Sequence, residues 1–66
     1  MKFAERFTEV LKVSGYTQKQ LAKQLNITEG NITNWKKGEN LPSVDVLYRI
    51  CILLNESADY LLGLKD

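Results

Sequence analysis

Between Thr17 and Gly38 the chain reads TQKQLAKQLNITEGNITNWKKG, a run rich in amide and hydroxyl side chains with four lysines against the single acid Glu29. Amides and hydroxyls donate and accept hydrogen bonds and can therefore match base edges, while lysines match phosphate. At about 100° per residue, a helix starting at Glu29 places Thr28, Ile32 and Trp35 on one side. Gly30, Thr33, Asn34 and Lys37 lie opposite, with Glu29 and Asn31 on the flanks. No bulky apolar residue falls on that outer face, which suits a helix entering the groove of double-stranded DNA. This is chemistry of recognition rather than of bond making. The chain has no His and one Cys, and it contains no metal-ligand cluster and no Gly-rich phosphate loop. An enzyme is therefore not expected, and neither is a metal, a cofactor or a small-molecule substrate.

Charge is distributed to match. The net charge is only +1, but it is uneven along the chain. Residues 1 to 16 carry three bases against two acids, residues 17 to 38 carry four bases (Lys19, Lys23, Lys36 and Lys37) against one acid, and residues 39 to 66 carry two bases against five acids. The thirds stand at +1, +3 and −3, which sum to the net +1. The middle third is the electropositive part, fit either for phosphate or simply for water.

Helical periodicity positions these residues, and no stretch alternates as a strand would. Phe3, Phe7, Val10 and Leu11 form a stripe that makes residues 2 to 14 a first helix, which Gly15 can end in the left-handed conformation. Thr17 followed by Gln20 fits a capping box opening a second helix, with Leu21, Ala22 and Leu25 on its apolar face. Asn26 can stop that helix at positive φ, and Thr28 is the N-cap candidate of a third, from Glu29 to about Lys37, that Gly38 closes. A turn of about three residues between them is too short for antiparallel packing, so the two helices cross steeply as a helix-turn-helix over residues 17 to 38. Pro42 blocks helix until Ser43 caps a fourth, whose core stripe is Leu47, Ile50, Cys51 and Leu54. Asn55 and Ser57 separate it from a short fifth helix with Leu61 and Leu62. An all-α domain of five helices over residues 1–66 is the expectation. The lone Cys51 and the lack of an apolar run near 18 residues point to a cytoplasmic protein with no membrane span.

The run TQKQLAKQLNIT, then Ile32, NWKKG, Pro42-Ser43, LYRICILLN and SADYLLG resembles, in order and spacing, the phage-repressor and Cro-like helix-turn-helix family, also called the xenobiotic-response-element type. The resemblance spans about residues 3 to 63. It implies the five-helix DNA-binding domain of that family, acting on an operator as a dimer, with Glu29, Gly30, Thr33 and Asn34 facing bases and Gln18 on a DNA phosphate. Lys36 and Lys37 are phosphate candidates at the helix end, and Lys19, Thr28, Asn31 and Asn40 complete the phosphate-facing set. Three departures stand out. Asn26 replaces the usual turn Gly. Leu11 and Lys36 occupy the places where family members commonly carry an Arg and a Glu, so both halves of an ion pair are lost together. Gly30 leaves one base-facing position without a side chain.

Other roles stay open residue by residue. Glu29 either accepts from cytosine N4 or only complements the helix dipole. Asn34 suits bidentate pairing with adenine, and Trp35 reads as core rather than a stacking platform. Ile52, Leu53, Tyr60 and Leu64 are candidates for a homodimer interface, or they cover a small core. The functional expectation is a sequence-specific repressor of bacterial or phage type. The alternative is a protein-interaction module, such as an antitoxin-like component, that uses the acidic third with Ile52 and Leu53.

Overall fold

A computed structural model describes residues 1–66 as five helices without a strand. They are α1 (Phe3–Ser14), α2 (Gln18–Leu25), α3 (Glu29–Lys37), α4 (Val44–Leu54) and α5 (Ala58–Leu62). Three of the stops are non-terminal features legible in the chain. Gly15, Asn26 and Gly38 all adopt the left-handed conformation expected of them, with φ of 89°, 58° and 76°. Asn55 does the same at the end of α4, where the sequence suggested only a separator.

Helix starts divide into two kinds. At α2 the capping box is complete: Gln20 N–H donates to Thr17 Oγ1 at 3.0 Å and Thr17 N–H donates to Gln20 Oε1 at 2.9 Å. Ser57 caps α5 in the same way, its hydroxyl oxygen accepting from Tyr60 N–H at 3.1 Å. The expected caps at Thr28 and Ser43 hold in backbone conformation only. Thr28 Oγ1 accepts from the Asn31 side chain at 3.1 Å instead, and Ser43 Oγ donates to Asp45 Oδ1 at 2.7 Å. That bond from Ser43 holds the Asp45 carboxyl below the usual carboxylate range.

The core is one cluster of 11 buried residues: Phe3, Phe7 and Leu11 from α1, Leu21, Ala22 and Leu25 from α2, Ile32 and Trp35 from α3, Ile50 and Leu54 from α4, and Leu61 from α5. Every helix contributes, so none is stable apart from the others. Phe3 stacks on Phe7 with ring centroids 5.3 Å apart, and Phe7 meets the edge of Trp35 at 5.7 Å, which joins α1 to α3 through aromatic contacts. Trp35 is therefore core, as its position on the inner face suggested. Leu47 and Cys51, expected on the core stripe of α4, are only half-buried at its margin, as are Val10 and Leu62.

Two arginines close the ends of the assembly. Arg49 on α4 donates from Nη1 to the carbonyl of Leu25 at 3.2 Å and from Nη2 to that of Gln24 at 2.7 Å, so a cation terminates α2 where its last carbonyls are free. Arg6 on α1 donates to the carbonyls of Tyr60 and Lys65 and lies over the Tyr60 ring, 4.5 Å from its centre. Together they fasten the second half of the chain to the first. Replacing Arg49 by Ala should lower stability by about 1 to 2 kcal/mol, since charge-assisted bonds to carbonyls are lost at a partly open site. Urea unfolding monitored by Trp35 fluorescence checks this; an unchanged midpoint would show the clamp to be ornamental.

Candidate nucleic-acid interface

The helix-turn-helix is set by the three residues Asn26, Ile27 and Thr28. Asn26 N–H reaches back to the carbonyls of Ala22 and Lys23, and Ile27 N–H donates to the Ala22 carbonyl at 3.0 Å. These bonds satisfy the end of α2 while the chain reverses, and Ile27 turns its side chain against the core. The extended conformation of Thr28, φ −86° and ψ 155°, then launches α3. Ala22, 4% exposed, supplies the small residue that lets the helices meet closely.

Ile32 and Trp35, 0% and 4% exposed, fix the rotation of α3 about its axis. The opposite face consequently looks outward. Glu29, Gly30 and Asn31 are exposed, Thr33 and Asn34 are half-buried, and Lys36 and Lys37 are exposed at the helix end. Lys19 on α2, Thr28 in the turn and Asn40 in the loop after α3 are exposed as well. A helix of nine residues is about 14 Å long, comparable to the width of a major groove.

Gln18 changes the picture drawn from spacing alone. Its Nε2 donates to the Glu29 carbonyl at 3.1 Å and to Thr33 Oγ1 at 2.7 Å, and its Oε1 accepts from Lys36 Nζ at 3.3 Å. One side chain at the start of α2 thus ties together the beginning, middle and end of α3. Residues that the sequence presented as separate contacts form one network. Glu29 and Asn34 make no side-chain hydrogen bond within the protein, and among the base-facing candidates only they have unengaged polar groups on both atoms of their terminal functions.

The network also suits a lysine at position 36. An acid at position 36 would set a carboxylate against the carbonyl oxygen of Gln18, whereas Lys36 donates to it. Leu11 lies in the core at 5% exposure, where an arginine would have to bury its charge or leave the cluster. Each half of the exchange fits its own surroundings.

The contact candidates on the C-terminal side differ in how much surface they leave open. Ile52 and Leu64 are open, at 61% and 73% exposure, but Leu53 and Tyr60 are half-buried against the core and Tyr60 lies under the Arg6 guanidinium. The sequence missed that Val44 and Tyr48, 85% and 67% exposed, stand at i and i+4 on the same face of α4 as Ile52. The signal was present as a period of four, but it competes with the equally periodic stripe that faces the core. Cys51, between the two stripes, has its thiol pushed up by partial burial and by Glu56. The chain has no group of three His, Cys, Asp or Glu residues placed to hold a metal, and no helix is long and apolar enough to cross a membrane.

The helix-turn-helix family model matches residues 9–61, a span that includes α2, the turn, α3 and α4. The chain belongs to the Cro/C1-type helix-turn-helix family. A curated relative, the HTH-type transcriptional regulator ImmR of Bacillus subtilis (strain 168), is 41% identical over 66 residues, covering 100% of this chain and 51% of its own. The chain thus spans about half the length of the curated relative it matches.

The two threonines that precede helices should behave differently. Thr17→Ala removes a cap and should lower stability by about 1 kcal/mol, whereas Thr28→Ala removes only the bond from Asn31 and should lower it by roughly a third of that or less. Parallel urea titrations of the two variants check the order, and a larger loss for Thr28→Ala would contradict the cap assignment.

Proposed function

We propose that this chain is the sequence-specific DNA-binding unit of a cytoplasmic transcriptional repressor, acting on a double-stranded operator as a homodimer. The observation that carries the reading is the face of α3 left open once Ile32 and Trp35 are buried. It is polar throughout, holds one acid, and ends in two lysines. Its family and the name of its relative, a transcriptional regulator, point the same way. Residues 1–66 then act as one domain, with α3 in the major groove.

In this reading Glu29, Gly30, Thr33 and Asn34 face bases. Gln18, Lys19, Thr28, Asn31, Lys36, Lys37 and Asn40 border the sugar-phosphate backbone. Gln18 and Lys36 hold one another at 3.3 Å before any DNA arrives, which reduces the side-chain entropy lost on binding. Binding of this kind needs no chemistry of bond making, so the reading assigns these residues neither catalysis nor a cofactor.

A second reading draws on the open face of α4. Leu41, Val44, Tyr48 and Ile52 are each more than half exposed, and a protein partner would cover them in an antitoxin-like component. In the DNA-binding reading the same face, with Leu64, serves a second copy of this chain. A dimer aligns two recognition helices with half-sites about 34 Å apart.

Electrostatics should dominate affinity. If each domain neutralises about three to five phosphates, log K falls with log salt at roughly 0.9 per phosphate. Lys36→Ala with Lys37→Ala should flatten that slope and weaken all duplexes alike, and a slope near zero in the unaltered protein would favour the protein-partner reading. Asn34→Ala should cost about 1 to 3 kcal/mol on the preferred site and little on random duplex. Equal losses on both would move Asn34 to the backbone contacts. For assembly, sedimentation equilibrium should show Ile52→Lys shifting the protein toward monomer. Identical behaviour of the two proteins, with non-cooperative binding to a palindromic site, would remove the α4 face from the dimer.

A further inference from the structure

Gly30 sits in α3 at a place where the fold gives no reason for glycine. The glycines at positions 15, 38 and 63 occupy positive φ, but Gly30 does not. A Cβ built there would meet only Thr28 Oγ1, at 3.7 Å, an ordinary van der Waals contact. Alanine would fit and would favour the helix, since glycine is the poorer helix former. The missing side chain leaves open space on the exposed face.

One turn further along the same face stands Asn34. The two are at i and i+4, and helical side chains lean toward the N-terminus, so Asn34 extends over the turn that carries Gly30. Around them several polar groups are engaged, though the Glu29 carboxylate is not. Thr33 accepts from Gln18, Asn31 donates to Thr28, and Lys36 donates to Gln18. The Asn34 amide has no hydrogen-bond partner within the protein, and the residue is half-buried. An amide that pairs bidentately with adenine N6 and N7 must lie edge to edge with the base, with each bond near 2.9 Å. Asn is one methylene shorter than Gln, so the base must come close to the helix backbone, and a Cβ at position 30 would stand in its path.

We infer that Gly30 and Asn34 form one reading unit, in which the empty position at Gly30 admits an adenine to the helix surface and the Asn34 amide pairs with it. Gly30 is thus a specificity-determining residue by what it leaves out. The inference rests on the proposed DNA-binding role of α3.

The experiment starts from a preferred duplex selected by the full chain out of random DNA. Affinities of wild type, Gly30→Ala and Asn34→Ala are measured for that duplex, for random duplex, and for duplexes in which each adenine in turn is replaced by 7-deazaadenine, which lacks the N7 acceptor. Wild type should lose about tenfold at one adenine. Gly30→Ala should melt at or above the wild-type temperature, bind the preferred duplex about tenfold more weakly, bind random duplex unchanged, and no longer sense the deaza substitution at that adenine. Asn34→Ala should lose the same sensitivity. A Gly30→Ala protein that keeps wild-type affinity and wild-type sensitivity overturns the inference alone. A wild-type protein without any sequence preference overturns the proposed function and the inference with it.

Discussion

Everything outward-facing in this molecule depends on how Ile32 and Trp35 seat α3. A helix has one rotational degree of freedom about its axis, and about 100° separates successive residues. Burying two residues three apart therefore decides the direction of all the others. Ile32 goes down among the helices at 0% exposure, and Trp35 presents its ring to the edge contact with Phe7. With those in place, Gly30, Thr33, Asn34 and Lys37 cannot turn inward. The turn at Asn26 sets where α3 begins, and the seating sets what it shows. Because the core holds only 11 residues drawn from all five helices, a defect at Trp35 would spread to α1, and the outward face would lose its definition along with the fold.

Polar coupling then fixes what the core leaves loose. Gln18 belongs to α2, yet its amide is shared by the Glu29 carbonyl, Thr33 and Lys36. These bonds are partly exposed, and each contributes little to stability by itself. Their combined effect is positional, because they stop α3 from sliding along α2 and hold a lysine above the helix end. Lys36 and Leu11 each suit their surroundings. The charge at position 36 finds a neutral acceptor in Gln18, and position 11 becomes a core methyl cluster with no charge to satisfy.

Local signals were read most faithfully. The capping box at Thr17, the left-handed Asn26 and Gly38, and the bounds of α3 all rest on residues within four positions of one another, so the sequence displays them directly. The same holds for the apolar stripe that identified Phe3, Phe7, Leu11, Leu21, Leu25, Ile32 and Trp35 as core. Thr28 and Ser43 were harder, because a hydroxyl at an N-cap has competing partners, Asn31 and Asp45 here, that no spacing rule ranks. The outward direction of the candidate site residues was legible. Their attachment to Gln18 was not, since it links residues 11, 15 and 18 positions apart across a turn.

Long-range clamps lay furthest from view, and they shape the surface of the C-terminal side. Arg6 reaches Tyr60 across 54 positions and covers its ring, which removes Tyr60 from the free apolar surface that composition suggested. Arg49 reaches Gln24 and Leu25 across 25 and 24 positions. To make that reach it must face α2, and its neighbour Tyr48 is thereby turned the other way. On a helix with apolar residues at 44, 46, 47, 48, 50, 51, 52, 53 and 54, a second apolar stripe runs beside the one that faces the core. Ile50 and Leu54 went to the core, and Val44, Tyr48 and Ile52 went to the surface. Burying Ile50 and Leu54, with Leu47 and Cys51 at the margin, leaves Val44, Tyr48 and Ile52 outward while Arg49 reaches the end of α2.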